Sequence, residues 1–206
     1  MNRILFLIFL IVISFSTKAQ KIEKKNNIAT GISGDFSNSV NDDPFAIFFH
    51  LGYERIIGEP VKEGFFYALE LRLRPGLLLS SYDNSPIDPD ILKYNNKLLG
   101  LSVAFRPNLE VYDNLFLYIE GEAGYMYQYL DIKLRQPNGY SSPPYTGRTL
   151  DFMYGVQIGL RYGYIALHTG IFTFDTRKAI NKLIPEQFNY AETKFIIGEV
   201  GACFYF

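Results

Sequence analysis

Glu120 and Glu122 stand two positions apart in the stretch YIEGEAG, a spacing that turns both carboxylates to one face of an extended chain. Two carboxylates on one face are able to share a proton and serve as an acid–base pair. An arginine such as Arg72 or Arg74 on a neighbouring wall would neutralise them equally well. His50 and His168 are the only imidazoles. A Ser–His nucleophile needs its serine on the histidine's own face, and His168 has Gly170 there with Thr169 opposite, so that chemistry is not supplied. The single Cys203 forms no intramolecular disulfide and no cysteine-based zinc site. Asp83, Asp88 and Asp90 in SSYDNSPIDPD offer oxygen ligands, but their spacing is not that of a calcium loop, and Asp beside Pro is ordinary turn chemistry. No cofactor and no metal are implied.

The elements that would carry these residues are strands. From Leu150 to Tyr162 every second residue is apolar or aromatic (Leu150, Phe152, Tyr154, Val156, Ile158, Leu160, Tyr162), and the alternates are Asp151, Met153, Gly155, Gln157, Gly159 and Arg161. The same contrast sets Tyr67, Leu69, Leu71 and Leu73 against Ala68, Glu70, Arg72 and Arg74. It recurs between Leu99 and Phe105 and between Leu115 and Tyr129. Extending it predicts eight strands, at 26–37, 44–55, 64–75, 97–107, 114–130, 149–162, 164–175 and 192–206. Their connections alternate in length. Short links include a turn around Gly163, whereas Ser80–Asn96, Asp131–Arg148 and Thr176–Ala191 are long and polar. An even number of strands with short turns at one end and long loops at the other is the pattern of an antiparallel up-and-down transmembrane β-barrel.

Two all-β arrangements compete, a membrane barrel with the greasy face outward and a soluble lipocalin-like binding barrel with that face inward. An eight-stranded barrel has room inside only for side chains, and the large residues of the greasy faces would overfill it. Reversal would also leave a soluble surface of Gly155, Gly159, Gly124, Ala68 and Phe66. Apolar-out is the consistent choice. It puts Tyr53, Phe65, Tyr67, Phe105, Tyr162, Phe204 and Phe206 at the short-turn rim, and Phe36, Phe45, Tyr125, Tyr127 and Tyr129 at the long-loop rim, as two aromatic girdles. It also turns inward His50, His168, Asp35 and Glu54, together with Glu70, Arg72, Arg74, Arg106, Glu120, Glu122, Asp151, Arg161 and Glu199. These last nine are expected to form an ion-paired lumen network, because an unpaired charge in a low-dielectric wall is costly.

The chain has 206 residues, with 18 Phe and 16 Tyr but no Trp, and a formal net charge of -1. That balance leaves no basic excess for nucleic acid. Arg3 followed by the apolar run Ile4 to Phe15 is the length of a signal h-region and short for a spanning helix. Thr17 and Ala19 then suit cleavage between Ala19 and Gln20, which divides the chain into a signal peptide, 1–19, and one barrel domain, 20–206.

The final strand alternates Gly198, Val200, Ala202, Phe204, Phe206 up to a terminal aromatic. It resembles the C-terminal strand of Gram-negative outer-membrane β-barrel proteins, and the whole mature chain resembles the small OmpA- or OmpX-like barrels in architecture. The resemblance implies export to the outer membrane, outer-membrane lipid as surroundings, and Phe204 and Phe206 as part of a signal read by the barrel-assembly machinery. The expected function is structural, or recognition by extracellular loops of an envelope or extracellular partner, without catalysis. The alternatives are an envelope-lipid-modifying enzyme using His50 or His168, and the soluble binding barrel. In the loops, Tyr140 and Tyr145 are candidate contacts for a partner or sugar. Arg177, Lys178 and Lys182 are candidates for lipopolysaccharide phosphate, or simply a charged loop.

Overall fold

The structure, a computed structural model, describes residues 22, 25–35, 45–59, 63–81, 91–134, 144–174, 183 and 195–206, with backbone placement alone at 35, 45, 78–81, 91–95 and 195–196. The predicted cleavage site at Ala19 and Gln20, Phe36, the loop aspartates, Tyr140 and the cations Arg177, Lys178 and Lys182 lie outside the described residues.

Eight strands form: β1 (Asn26–Asp35), β2 (Phe45–Ile57), β3 (Phe65–Ser81), β4 (Ile91–Tyr112), β5 (Leu115–Leu134), β6 (Tyr145–Tyr162), β7 (Ile165–Phe174) and β8 (Phe195–Tyr205). Each pairs antiparallel with the next, and β1 pairs with β8 to close the ring. The chain is an up-and-down transmembrane β-barrel. Closure leaves no sheet edge in the apolar zone, where an unpaired amide would find no water. The seam is completed by the terminal residue, since Phe206 and Ile28 exchange backbone hydrogen bonds of 2.9 and 3.1 Å.

The hairpins at the short-turn rim follow from local chemistry. Tyr112 pairs with Leu115 across Asp113-Asn114, and Asn114 adopts φ 59°, a left-handed conformation that asparagine tolerates. Tyr162 pairs with Ile165 across Gly163-Tyr164, with Gly163 at φ 55°. The outer surface is the predicted greasy face: Leu71, Leu101, Val103, Ile119, Val156 and Ile158 are all exposed. At the short-turn rim Tyr67 stacks on Phe105 with ring centroids 5.5 Å apart, and toward the other rim Tyr125 meets Phe152 edge-on at 5.8 Å.

Two expectations are corrected. Ser80–Asn96 and Asp131–Arg148 are not loops throughout, because β3 to β6 run on as a tall wall, with Leu79 opposite Asn95 and Ile132 opposite Tyr145. The alternation does not stop there; it changes sign. Below Tyr129 the outward residues of β5 are apolar or small, from Leu115 to Tyr127, while above it Leu130, Ile132 and Leu134 are buried on the inner side and Asp131 and Lys133 take the outer one. The apolar stripe leaves one face and resumes on the other, which makes the continuing strand look like the start of a polar loop. The interior is also less uniformly small and charged than the volume argument required, since Phe48, Phe66, Phe172, Phe174 and Tyr205 are fully buried within it. They gather in clusters toward the two ends.

Candidate functional site: a charged layer inside the barrel

Between those clusters lies a layer built by alternate residues of six strands, Glu54 being the contribution of β2. Arg72 and Arg74 come from β3, Arg106 from β4, Glu120 and Glu122 from β5, Arg161 from β6 and Glu199 from β8, and all are almost completely buried. Arg72 donates to Glu120 at 2.7 and 3.0 Å, to Glu122 at 2.8 Å and to Glu70 at 3.2 Å. Arg106 is the widest hub. It donates to Glu120 at 2.7 and 2.9 Å, Glu70 at 2.8 Å, Glu54 at 3.0 Å and the Tyr205 hydroxyl at 2.6 Å. Arg74 joins Glu122 at 2.7 Å and Glu199 at 2.5 Å, and Arg161 joins Glu54 at 2.8 and 2.9 Å. Planar guanidiniums with several fixed donors suit this cross-linking; a lysine would offer a single point charge.

Each carboxylate therefore accepts from more than one donor, which offsets the cost of removing these ions from water. Glu120 and Glu122 do share one face, and both are held by Arg72, so their arrangement is that of an ion-pair lattice. Asp151 sits nearer the long-loop end, where it accepts from Gln128 at 2.8 Å and Thr149 at 3.1 Å. Glu54, which the inward parity located but the predicted nine omitted, bridges Arg106 and Arg161 and accepts from Asn27 at 2.8 Å.

Cys203 is a component that the sequence left without a role. His50 hydrogen-bonds Glu70 through Nε2 and turns Nδ1 toward the Cys203 sulfur at 3.3 Å. His168 hydrogen-bonds Glu199 through Nε2 at 3.1 Å, with its Nδ1 4.0 Å from the same sulfur. The signal available was parity, because His50, His168 and Cys203 all occupy inward positions. That their strands β2, β7 and β8 bring them together is a property of ring closure, invisible in linear spacing. Among the described residues no group of three or more His, Cys, Asp or Glu is arranged to hold a metal ion.

Apolar layers bound the charges on both sides. Toward the long loops lie Phe48, Leu98, Met126, Met153 and Phe172, continuing upward through Leu130, Ile132 and Leu134. Leu183, from the segment between β7 and β8, packs on this cluster against Gly147, where an added Cβ would come within 2.3 Å of the leucine. Toward the short turns lie Ile22, Ile56, Phe66 and Phe116, with Tyr118 and Tyr205 in a neighbouring cluster. The boundaries are cation–π contacts: Arg74 lies 5.1 Å from the Phe172 ring, and Arg161 4.0 Å from that of Tyr205.

On the outside, where the wall changes polarity, Lys97, Tyr129 and Arg148 pair side by side across β4, β5 and β6. The Lys97 ammonium is 5.9 Å and the Arg148 guanidinium 6.0 Å from the Tyr129 ring.

No protein-family model matches the sequence, and no curated protein matches it. Among solved structures the chain is similar to Ail, the attachment invasion locus protein of Yersinia pestis, at 12% identity over 88% of this chain and 97% of that one, with a TM-score of 0.42. It is also similar to the N-terminal β-barrel domain of Pseudomonas aeruginosa OprF, at 12% identity over 89% and 98% of the two chains, with a TM-score of 0.37. A major outer membrane protein from Thermus thermophilus shares 10% identity over 89% of this chain and 100% of that one, with a TM-score of 0.44.

Proposed function

We propose that this chain is a signal-directed outer-membrane barrel with a sealed lumen, and that it acts structurally or through its long-loop end in envelope integrity, adhesion or complex assembly, without catalysis. The observation that carries this is the layering of the interior. A solute or a file of water crossing the barrel would have to displace the apolar cluster around Phe48 and Phe172, part an ion lattice tied by four arginines, and then displace the Phe66–Phe116 cluster. An eight-stranded ring has no spare radius for a path around them.

The enzymatic alternative has one feature in its favour, the line Glu70–His50–Cys203, in which carboxylate, imidazole and thiol are in contact. A nucleophile must meet its substrate, and Cys203 is 3% exposed, enclosed by the same layers. Two measurements test the reading. Purified full-length protein reconstituted in a planar bilayer is expected to show no conductance above the lipid baseline, and discrete channel openings would overturn the sealed lumen. Replacing both His50 and His168 is expected to leave envelope lipid composition unchanged, and an altered lipid profile would establish the enzyme instead.

A further inference from the structure

We infer that the outer face of the barrel at Lys97, Tyr129 and Arg148 binds the phosphate groups of a glycolipid in the leaflet at the long-loop rim. The inference rests on the outer-membrane reading above, which assigns that leaflet to a phosphorylated glycolipid. Three independent features of this surface lead to it. The first is its level. The row immediately below, Leu99, Tyr127 and Leu150, is apolar and exposed, so the transition from hydrocarbon to headgroup falls within two residues, about 7 Å along the strands. Lys97 and Arg148 therefore stand at headgroup depth with their long stems able to lie along the apolar row.

The second feature is composition. Lys97 and Arg148 flank Tyr129 in one row, and Lys133 adds a third cation two rows above. Asp131, between these rows, is the one carboxylate on the described outer face there, leaving the patch with a surplus of positive charge. The third is localisation. The Lys97 ammonium and the Arg148 guanidinium stand 5.9 and 6.0 Å from the same Tyr129 ring, so both charges gather at one point of the row. An even scatter of cations would serve general solubility. Two cations held against one phenol fit a discrete anionic headgroup. Lys97 and Arg148 are separated by two strand spacings, about 10 Å between backbones, and their side chains can converge on one phosphate or hold two.

The test uses full-length protein in phosphatidylcholine vesicles doped with bisphosphorylated lipid A or with its dephosphorylated form, and measures lipid retained through gentle detergent extraction. Wild type is expected to retain the phosphorylated form preferentially. The double variant Lys97→Gln/Arg148→Gln should lose about thirtyfold of that preference. Arg55→Gln, at the opposite rim, should leave it intact. Equal retention of both lipids by wild type, a preference that survives in the double variant, or displacement of the lipid by millimolar inorganic phosphate would overturn the assignment. A heat-modifiable gel shift, run on each protein, keeps the outcomes separable. Its absence in wild type would strike the membrane-barrel reading itself, while its presence in the double variant shows that lipid loss is not misfolding.

Discussion

The lower and upper parts of the β4–β6 wall belong to the same antiparallel strands, whose register shifts only near the two ends of β4, yet they distribute side chains in opposite senses. Below Tyr129, Leu101, Val103 and Ile119 face outward while Arg106, Glu120 and Glu122 face the lumen. Above it, Lys133 and Asp131 take the outward, half-buried positions while Leu130, Ile132 and Leu134 are buried inside. The difference shows that the solvent outside, hydrocarbon or water, sets which alternate is apolar, and that strand formation is indifferent to the choice. Substitutions at four positions, one in each quadrant of this comparison, test it.

The largest effect belongs to the lower inner face. Arg106→Met removes donors to Glu54, Glu70 and Glu120 together, leaving buried carboxylates short of partners. A loss of about 3–5 kcal/mol is expected, read as a lower urea midpoint for the heat-modifiable form. Arg106→Lys should recover little of it, because an ammonium cannot span the same acceptors. If Met were tolerated without loss, the lattice would not be what holds the lower lumen. Next is the lower outer face. Leu101→Arg would place a charge in hydrocarbon and cost about 2–4 kcal/mol in lipid vesicles.

How far these quadrants were legible in the sequence follows from the same inversion. The strict alternation from Leu150 to Tyr162 and from Leu115 to Tyr129 identified strands, the outward face and the inward arginines and glutamates, because period two survives wherever one side meets lipid. Which inward residues would touch was not legible: Arg72 and Glu120 are far apart in sequence, on strands that flank β4 without pairing, and it is the curvature of the closed wall that brings their side chains together. The upper wall was missed because Leu130, Ile132 and Leu134 carry the opposite parity from Tyr125, Tyr127 and Tyr129, so a search for one continuous stripe ends at the crossing. Glu54 was visible as an inward position, yet Arg106 and Arg161 lie on strands that do not pair with β2, and Cys203 reaches His50 only because β8 closes on β1.

The two upper quadrants carry the smaller effects and discriminate more sharply. Ile132→Val shortens a side chain that is 0% exposed, and a loss of about 0.5–1.5 kcal/mol is expected from the methylene and the void it leaves. Lys133→Gln on the outer side should change stability by less than about 0.5 kcal/mol, since a water-facing position away from packed contacts contributes little. Lys133→Leu is the more demanding version. If the upper wall were embedded in hydrocarbon as the lower wall is, leucine would stabilise it by roughly the transfer energy of its side chain, about 1.5–3 kcal/mol. If water lies outside, leucine brings no such gain. Urea titrations of the two variants side by side in the same vesicles thus locate the membrane boundary. A stabilised Lys133→Leu would move that boundary above Tyr129, and with it take Lys97 and Arg148 out of headgroup depth.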